Sequence, residues 1–117
     1  MAEPFRDWDD VSAFALDLPG TELSTSYGRP AVKVRSKAFL YPGREEGSFA
    51  VASPLPEKEM LIETDPETFW ESDHYRGWPA VLVRYGSAER ERIERVIARA
   101  WWDRASKAQR AEFGERP

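Results

Sequence analysis

Tyr27-Gly28-Arg29-Pro30-Ala31-Val32-Lys33-Val34-Arg35-Ser36-Lys37-Ala38-Phe39-Leu40-Tyr41 decides how this chain folds. Val32 and Val34 alternate with Ala31, Lys33 and Arg35, the period of a half-buried strand with its valines toward a core and its cations toward water. A further strand, Lys37 to Tyr41, follows a reversal near Arg35-Ser36-Lys37. Upstream, the Ser- and Thr-rich segment Leu23 to Tyr27 suits a short first strand. Gly28-Arg29-Pro30 is expected to bend or bulge between them, because proline cannot donate to a central ladder. Leu23 to Arg44 holds five basic side chains (Arg29, Lys33, Arg35, Lys37, Arg44) and no acid. Removing those five from the 17 basic residues leaves 12 against 21 acids, a balance of −9 in a chain whose formal charge is −4.

On the N-terminal side, Trp8, Val11, Phe14, Ala15 and Leu18 recur at helical steps behind the capping carboxylates Asp7 and Asp9, and Pro19-Gly20 ends the run. On the C-terminal side, Pro42-Gly43 closes the third strand, Arg44-Glu45-Glu46-Gly47 turns, and Ser48 to Ala52 returns as a fourth. A short helix is predicted from about Glu57 to Glu63 with Met60 and Leu61 inward. Asp65-Pro66-Glu67-Thr68-Phe69-Trp70 reads as another helical turn, capped by Asp65 with proline at its first position. Arg76 to Tyr85 is extended, and Ala80 to Val83, apolar on both sides, reads as an inner strand. Ile93, Val96, Ile97, Ala100, Trp101 and Ala105 mark the longest helix, about Ala88 to Ala105, with Ser87 as its cap. The whole chain, 1–117, is read as one α+β domain with frayed ends at 1–5 and 114–117.

Composition narrows the classes of function. No cysteine means no disulfide, thiolate metal site or cysteine nucleophile, and agrees with a reducing cytoplasm. No segment has the length of a signal peptide's apolar core or the roughly 20 apolar residues of a membrane span, so the expectation is a cytoplasmic protein without membrane partners. The only histidine, His74, rules out paired-histidine zinc motifs; there is no Gly-x-Ser-x-Gly elbow, and the seven glycines are scattered singly rather than gathered into a phosphate loop. The reading is of a non-enzymatic domain with no catalytic residue, cofactor or metal, His74 being a structural histidine.

Two constellations remain. The cations Arg29, Lys33 and Arg35 share strand parity and, with Lys37 and Arg44, form a basic β-ribbon able to follow phosphates or enter a DNA groove. Read blandly, they are a solvated face that deters edge pairing. Tyr27, Arg29, His74, Tyr75, Arg76 and Trp78 mix aromatic rings with cations at glycine-containing bends and could line a groove for an anion, a base or a peptide. The bland alternative there is an internally satisfied structural cluster.

The order Leu18-Pro19-Gly20-Thr21-Glu22, then Tyr27-Gly28-Arg29-Pro30-Ala31-Val32-Lys33-Val34, then His74-Tyr75-Arg76-Gly77-Trp78-Pro79-Ala80-Val81-Leu82-Val83-Arg84, then a helix containing Ala100-Trp101, resembles the MmcQ/YjbR-like family over roughly Asp7 to Ala108. The resemblance implies a two-layer α+β fold similar to secretion chaperones, an antiparallel sheet with helices packed on it in the order α-β-β-β-α-β-β-α. It also implies DNA binding through a double wing that would include Lys33, Arg35 and Lys37, weak and salt-sensitive with so few charges. The rival expectations are a chaperone-like module for a protein or peptide partner, and a small-ligand-binding protein.

Overall fold

The structure, a computed structural model, describes residues 3–117. Among them, four α-helices accompany one six-stranded sheet whose neighbouring strands all run antiparallel, in the spatial order β1-β2-β3-β4-β6-β5. In chain order these are α1 (Trp8–Leu16), β1 (Thr21–Ser26), β2 (Arg29–Val34), β3 (Lys37–Pro42), β4 (Ser48–Ala52), α2 (Leu55–Thr64), β5 (Phe69–Trp70), β6 (Ala80–Arg84), α3 (Arg90–Arg104) and α4 (Lys107–Phe113). The α+β, helix-on-antiparallel-sheet class is as expected. Four strands precede α2, as the residue pattern counts them, one more than the order implied by the resemblance.

Period-2 alternation builds one wall of the core. Val32, Val34, Phe49, Val51, Val81 and Val83 point to the face covered by α1 and α3, which return Val11, Ala15, Ile93, Ile97 and Trp101 to the same cluster. Trp101 is fully buried, and its indole N–H donates to Pro19 O at 2.8 Å, so the helix break at Pro19-Gly20 supplies the partner that the ring needs. Pairing of β2 with β3 slips between Val32 and Lys33: Val32 faces Leu40, Lys33 faces Ala38, and Phe39 is the extra residue. That bulge lets Phe39 and Leu40 both enter the core and returns Ala38 and Tyr41 to the opposite face.

Several local expectations are corrected. Tyr27 is not in β1; Tyr27 and Gly28, at φ 53° and 77°, form the two-residue turn of the β1–β2 hairpin, and Arg29-Pro30 already belong to β2. Arg35 likewise leaves β2 for a turn with Ser36, at φ 53° and 64°. The Asp65–Trp70 segment is a turn leading into the edge strand β5, because Phe69 and Trp70 pair with Val83 and Leu82. On α2 Leu61 is buried as expected, but Met60 points to water and Lys58 is buried in its stead. Helix α3 starts at Arg90 behind Glu89, while the Ser87 hydroxyl donates to Arg84 O rather than capping.

The ends are also tied down. Phe5, in the segment expected to fray, lies in the core with the Arg90 guanidinium 4.0 Å above its ring, and its carbonyl accepts from Gly86 N–H. Residues 1–2 of that segment lie outside the described residues. Arg116, in the other, pairs with Asp103 at 3.2 Å and Glu57 at 3.0 Å.

Candidate functional site: a cationic, aromatic groove on the open sheet face

On the face away from α1 and α3, cover is partial. Tyr75, on the 3-10 turn Asp73–Tyr75, packs with Ala50, Ala80 and Leu82, while Tyr41 and Trp70 lean against this small second cluster. The Arg84 guanidinium closes the far rim over the Trp70 ring at 4.7 Å. The loop carrying the 3-10 turn therefore shields β4 and β6 but stops short of β1 and β2. Where it stops, a groove of about 420 Å³ opens between the loop and the beginning of β2.

The groove is lined by Tyr27, Arg29, Tyr41, Arg44, His74, Tyr75 and Trp78, with Ser26, Pro30, Ala38 and Pro42 filling between them. Among the described residues, no carboxylate is in this lining. Pro30 contributes by what it lacks: it brings no N–H, and pairing of β2 with β3 begins only at Val32, leaving the two strands parted at this end. Gly43 allows the reversal behind Pro42, since a Cβ there would collide with the Ser48 side chain and crowd Leu82. The next residue, Arg44, then donates its backbone N–H to the Tyr75 hydroxyl at 3.1 Å. That bond leaves the Tyr75 O–H proton available to a ligand. The Arg29 guanidinium donates to Gly43 O at 3.5 Å, bringing it next to the Arg44 backbone. Burial, then the neighbouring Tyr75 hydroxyl, raises the Tyr41 phenol above its usual value against a smaller opposing effect of Arg104, so Tyr41 stays neutral at physiological pH.

Lys58 holds the groove's outer wall in place. Its side chain is only 2% exposed, and its ammonium donates to Tyr75 O at 2.7 Å and Trp78 O at 2.8 Å and pairs with Glu71 at 2.8 Å. Three donors thus meet three acceptors, the condition under which a buried ammonium is tolerated. Ser53 N–H adds a bond to Pro79 O at 2.9 Å. The loop is pinned from beneath while Trp78, 62% exposed, and Tyr27, 104% exposed, stay free at its mouth.

Five of the six residues of the predicted second constellation converge here: Tyr27, Arg29, His74, Tyr75 and Trp78 line the groove. Arg76 does not; its guanidinium pairs with Asp73 at 2.8 Å on the outer surface. His74 is exposed and stands edge-on to Tyr75, with ring centres 5.1 Å apart. The basic ribbon, by contrast, is divided. Arg29 and Arg44 belong to the groove, and Lys33 lies on the same face opposite Glu22 and Ala38. Arg35 sits in the far turn, and Lys37, paired with Val34, is on the helix-bearing side. Three cations in line on one strand, as parity had suggested, are therefore two. Among the described residues, none of Arg29, Lys33, Arg35, Lys37 and Arg44 is within ion-pair distance of a carboxylate.

Tyr41 and Lys58 are the site residues that the sequence reading missed. Tyr41 was hidden by the bulge, which shifts the parity of β3. For Lys58 a signal existed: Leu55, Leu61 and Ile62 stand three before, three after and four after it, the spacing of one helical face.

Among known proteins, uncharacterised proteins of Mycobacterium tuberculosis and Mycobacterium bovis are each 29% identical to this chain over 115 residues, spanning 86% of it and 89% of theirs. The crystal structure of a Deinococcus radiodurans protein with a DUF419 domain superposes with a TM-score of 0.68 over 91% of this chain and 86% of that one. At 17% identity that likeness speaks to the fold alone. The strands, the loop that carries the groove wall and nearly all of α3 lie within residues 16–102, the span matched by the YjbR family model, and the chain belongs to the YjbR family.

Proposed function

We propose that this YjbR-family domain is a non-enzymatic, cytoplasmic binding module whose partner is nucleic acid, held by the groove, by Lys33 further along β2 and by Arg35 at the turn beyond it. One observation carries this reading. In a chain with 21 acids against 17 bases, the five cations between Leu23 and Arg44 stand without a carboxylate partner among the described residues, and two of them join four aromatic rings in a groove lining free of acids. Such a surface offers phosphates charge-assisted bonds and offers bases ring faces. The exposed position of His74, without a hydrogen-bonded side-chain partner among the described residues to orient it for proton transfer, supports the absence of catalysis. The cysteine-free sequence supports the compartment.

Titrating labelled DNA, duplex and single-stranded, against the full chain at low and then moderate salt tests the proposal. Binding that weakens as salt rises and falls at least tenfold in Arg29→Glu with Arg44→Glu is the expected result. No binding of either form at low salt would remove nucleic acid as the partner. The exposed ring of Trp78 favours a peptide as the second reading. A protein partner retained at high salt and released by Trp78→Ala would select it.

A further inference from the structure

Resting on that reading, we infer that the groove takes an unpaired base from a single strand, with the adjoining phosphate on Arg29 and Arg44, and that stacked duplex is the poorer ligand. Two features of the site argue for this form of nucleic acid. The first is shape. A groove of about 420 Å³ lies near the lower end of the roughly 300–1,000 Å³ that small-molecule sites occupy, a size for one nucleotide and not for a helix. The second is the display of ring faces. Tyr27 and Trp78 are exposed at opposite sides of the mouth, one on the β1–β2 turn and the other on the pinned loop. A duplex keeps its base faces stacked on one another and presents edges and phosphates; only an unpaired base can exchange its stack for these rings.

The chemistry within the groove fits the same ligand. The interior is Ala38 and the rings of Tyr41 and Tyr75, an apolar bed for a planar ring with the Tyr75 hydroxyl at its edge. The cations stand to one side, where Arg29 donates to Gly43 O beside Arg44, so charge and ring are separated as in a nucleotide. Beyond the groove the strand has a path. Lys33 lies on the same face of β2, and Arg35 follows at the turn, about 20 Å from Arg29 at the rise of an extended strand.

The test compares a 12-residue oligo(dT), an oligo(rU) of the same length, the same DNA backbone carrying abasic sites, and a duplex, by fluorescence anisotropy with the full chain. Oligo(dT) or oligo(rU) should bind about tenfold or more tightly than the duplex and the abasic strand, and whichever binds better identifies DNA or RNA as the source of the base. Neutralising four phosphates predicts a slope of about −3 for log affinity against log salt. Trp78→Ala and Tyr27→Ala should each weaken the single strand by about tenfold while leaving duplex affinity and the melting temperature unchanged, since both rings lie outside the core. A duplex or an abasic strand that binds as well as oligo(dT), or both variants remaining within about twofold of the parent, would overturn the inference and leave the broader nucleic-acid reading standing. Failure of every oligonucleotide to bind would remove both.

Discussion

The same strands finish their two faces differently. Toward α1 and α3, Val32, Val34, Phe49 and Val51 are wholly closed from water; on the reverse, Arg29 and Tyr27 stand open and Lys33 is half-buried. The helix-bearing face is held by many apolar contacts, none decisive alone. The open face depends on a few polar bonds that fix one loop: the three of Lys58, one from Ser53 and one from Arg44 to Tyr75. A face assembled this way can be emptied of apolar cover and still keep its shape, which is what a binding surface requires.

The comparison would be most severely tested on the covered face. Phe49 is fully buried against Phe5 and Tyr85, with ring centres 6.3 Å and 5.2 Å away. Phe49→Ala should cost about 3–5 kcal/mol in urea unfolding. Trp78→Ala should stay within about 0.5 kcal/mol of the parent. Equal losses for the two would mean that the open face is core after all.

Next in size is Lys58→Met, expected to cost about 2–4 kcal/mol. The larger share comes from stranding the carbonyls of Tyr75 and Trp78, because Glu71 is 31% exposed and can be rehydrated. Amide exchange should quicken in residues 71–79 before it does in β4. A variant that unfolds earlier with no selective loosening of that loop would show that Lys58 is ordinary core.

A smaller effect is pH-dependent. Burial, followed by Asp7 and Asp9, pushes the Tyr85 phenol from 10.0 up to about 12 in the folded protein. The neutral form is thus favoured on folding, so its contribution is complete below the unfolded value of 10.0 and is lost as pH climbs toward about 12. Because the ring is partly exposed, the effect is discounted to about 1 kcal/mol between pH 9 and 11. Tyr85→Phe should flatten that alkaline decline in urea melts. An unchanged slope would assign the decline to other groups, Tyr41 first among them.

The smallest expected change is a gain. Arg35 and Ser36 both hold positive φ without being glycine, a cost of about 1–2 kcal/mol for each residue. Ser36→Gly removes one such cost but loosens the unfolded chain by about 0.5–1 kcal/mol, for a net stabilisation of about 0.5 kcal/mol. Destabilisation instead would place a needed contact on the Ser36 side chain.

The alternation of Val32 and Val34, the helical spacing of Ile93, Val96, Ile97, Ala100 and Trp101, and the breaks at Pro19-Gly20 and Pro42-Gly43 made the covered face legible, because apolar periodicity and backbone restriction are local properties. They carried the α+β class and the inner position of β6. The aromatic and cationic residues of the groove were legible as candidates, but not their meeting. That meeting depends on a bulge at Phe39 that turns Tyr41 over, and on an ammonium from α2 that pins a loop 17 to 20 residues later. The reversal near Arg35-Ser36 was legible from the two strands that meet there, but with neither glycine nor asparagine in the turn, nothing local showed that Arg35 leaves β2. Asp65-Pro66 imitates a helix start, and only pairing with β6 makes Phe69–Trp70 a strand. Apolar periodicity along the chain marked most of the residues that leave water, though not Lys58, which is buried where Met60 was expected. The tertiary structure decided which charged and aromatic groups then share the remaining surface, because partners distant along the chain meet only when the sheet and loops have closed around them.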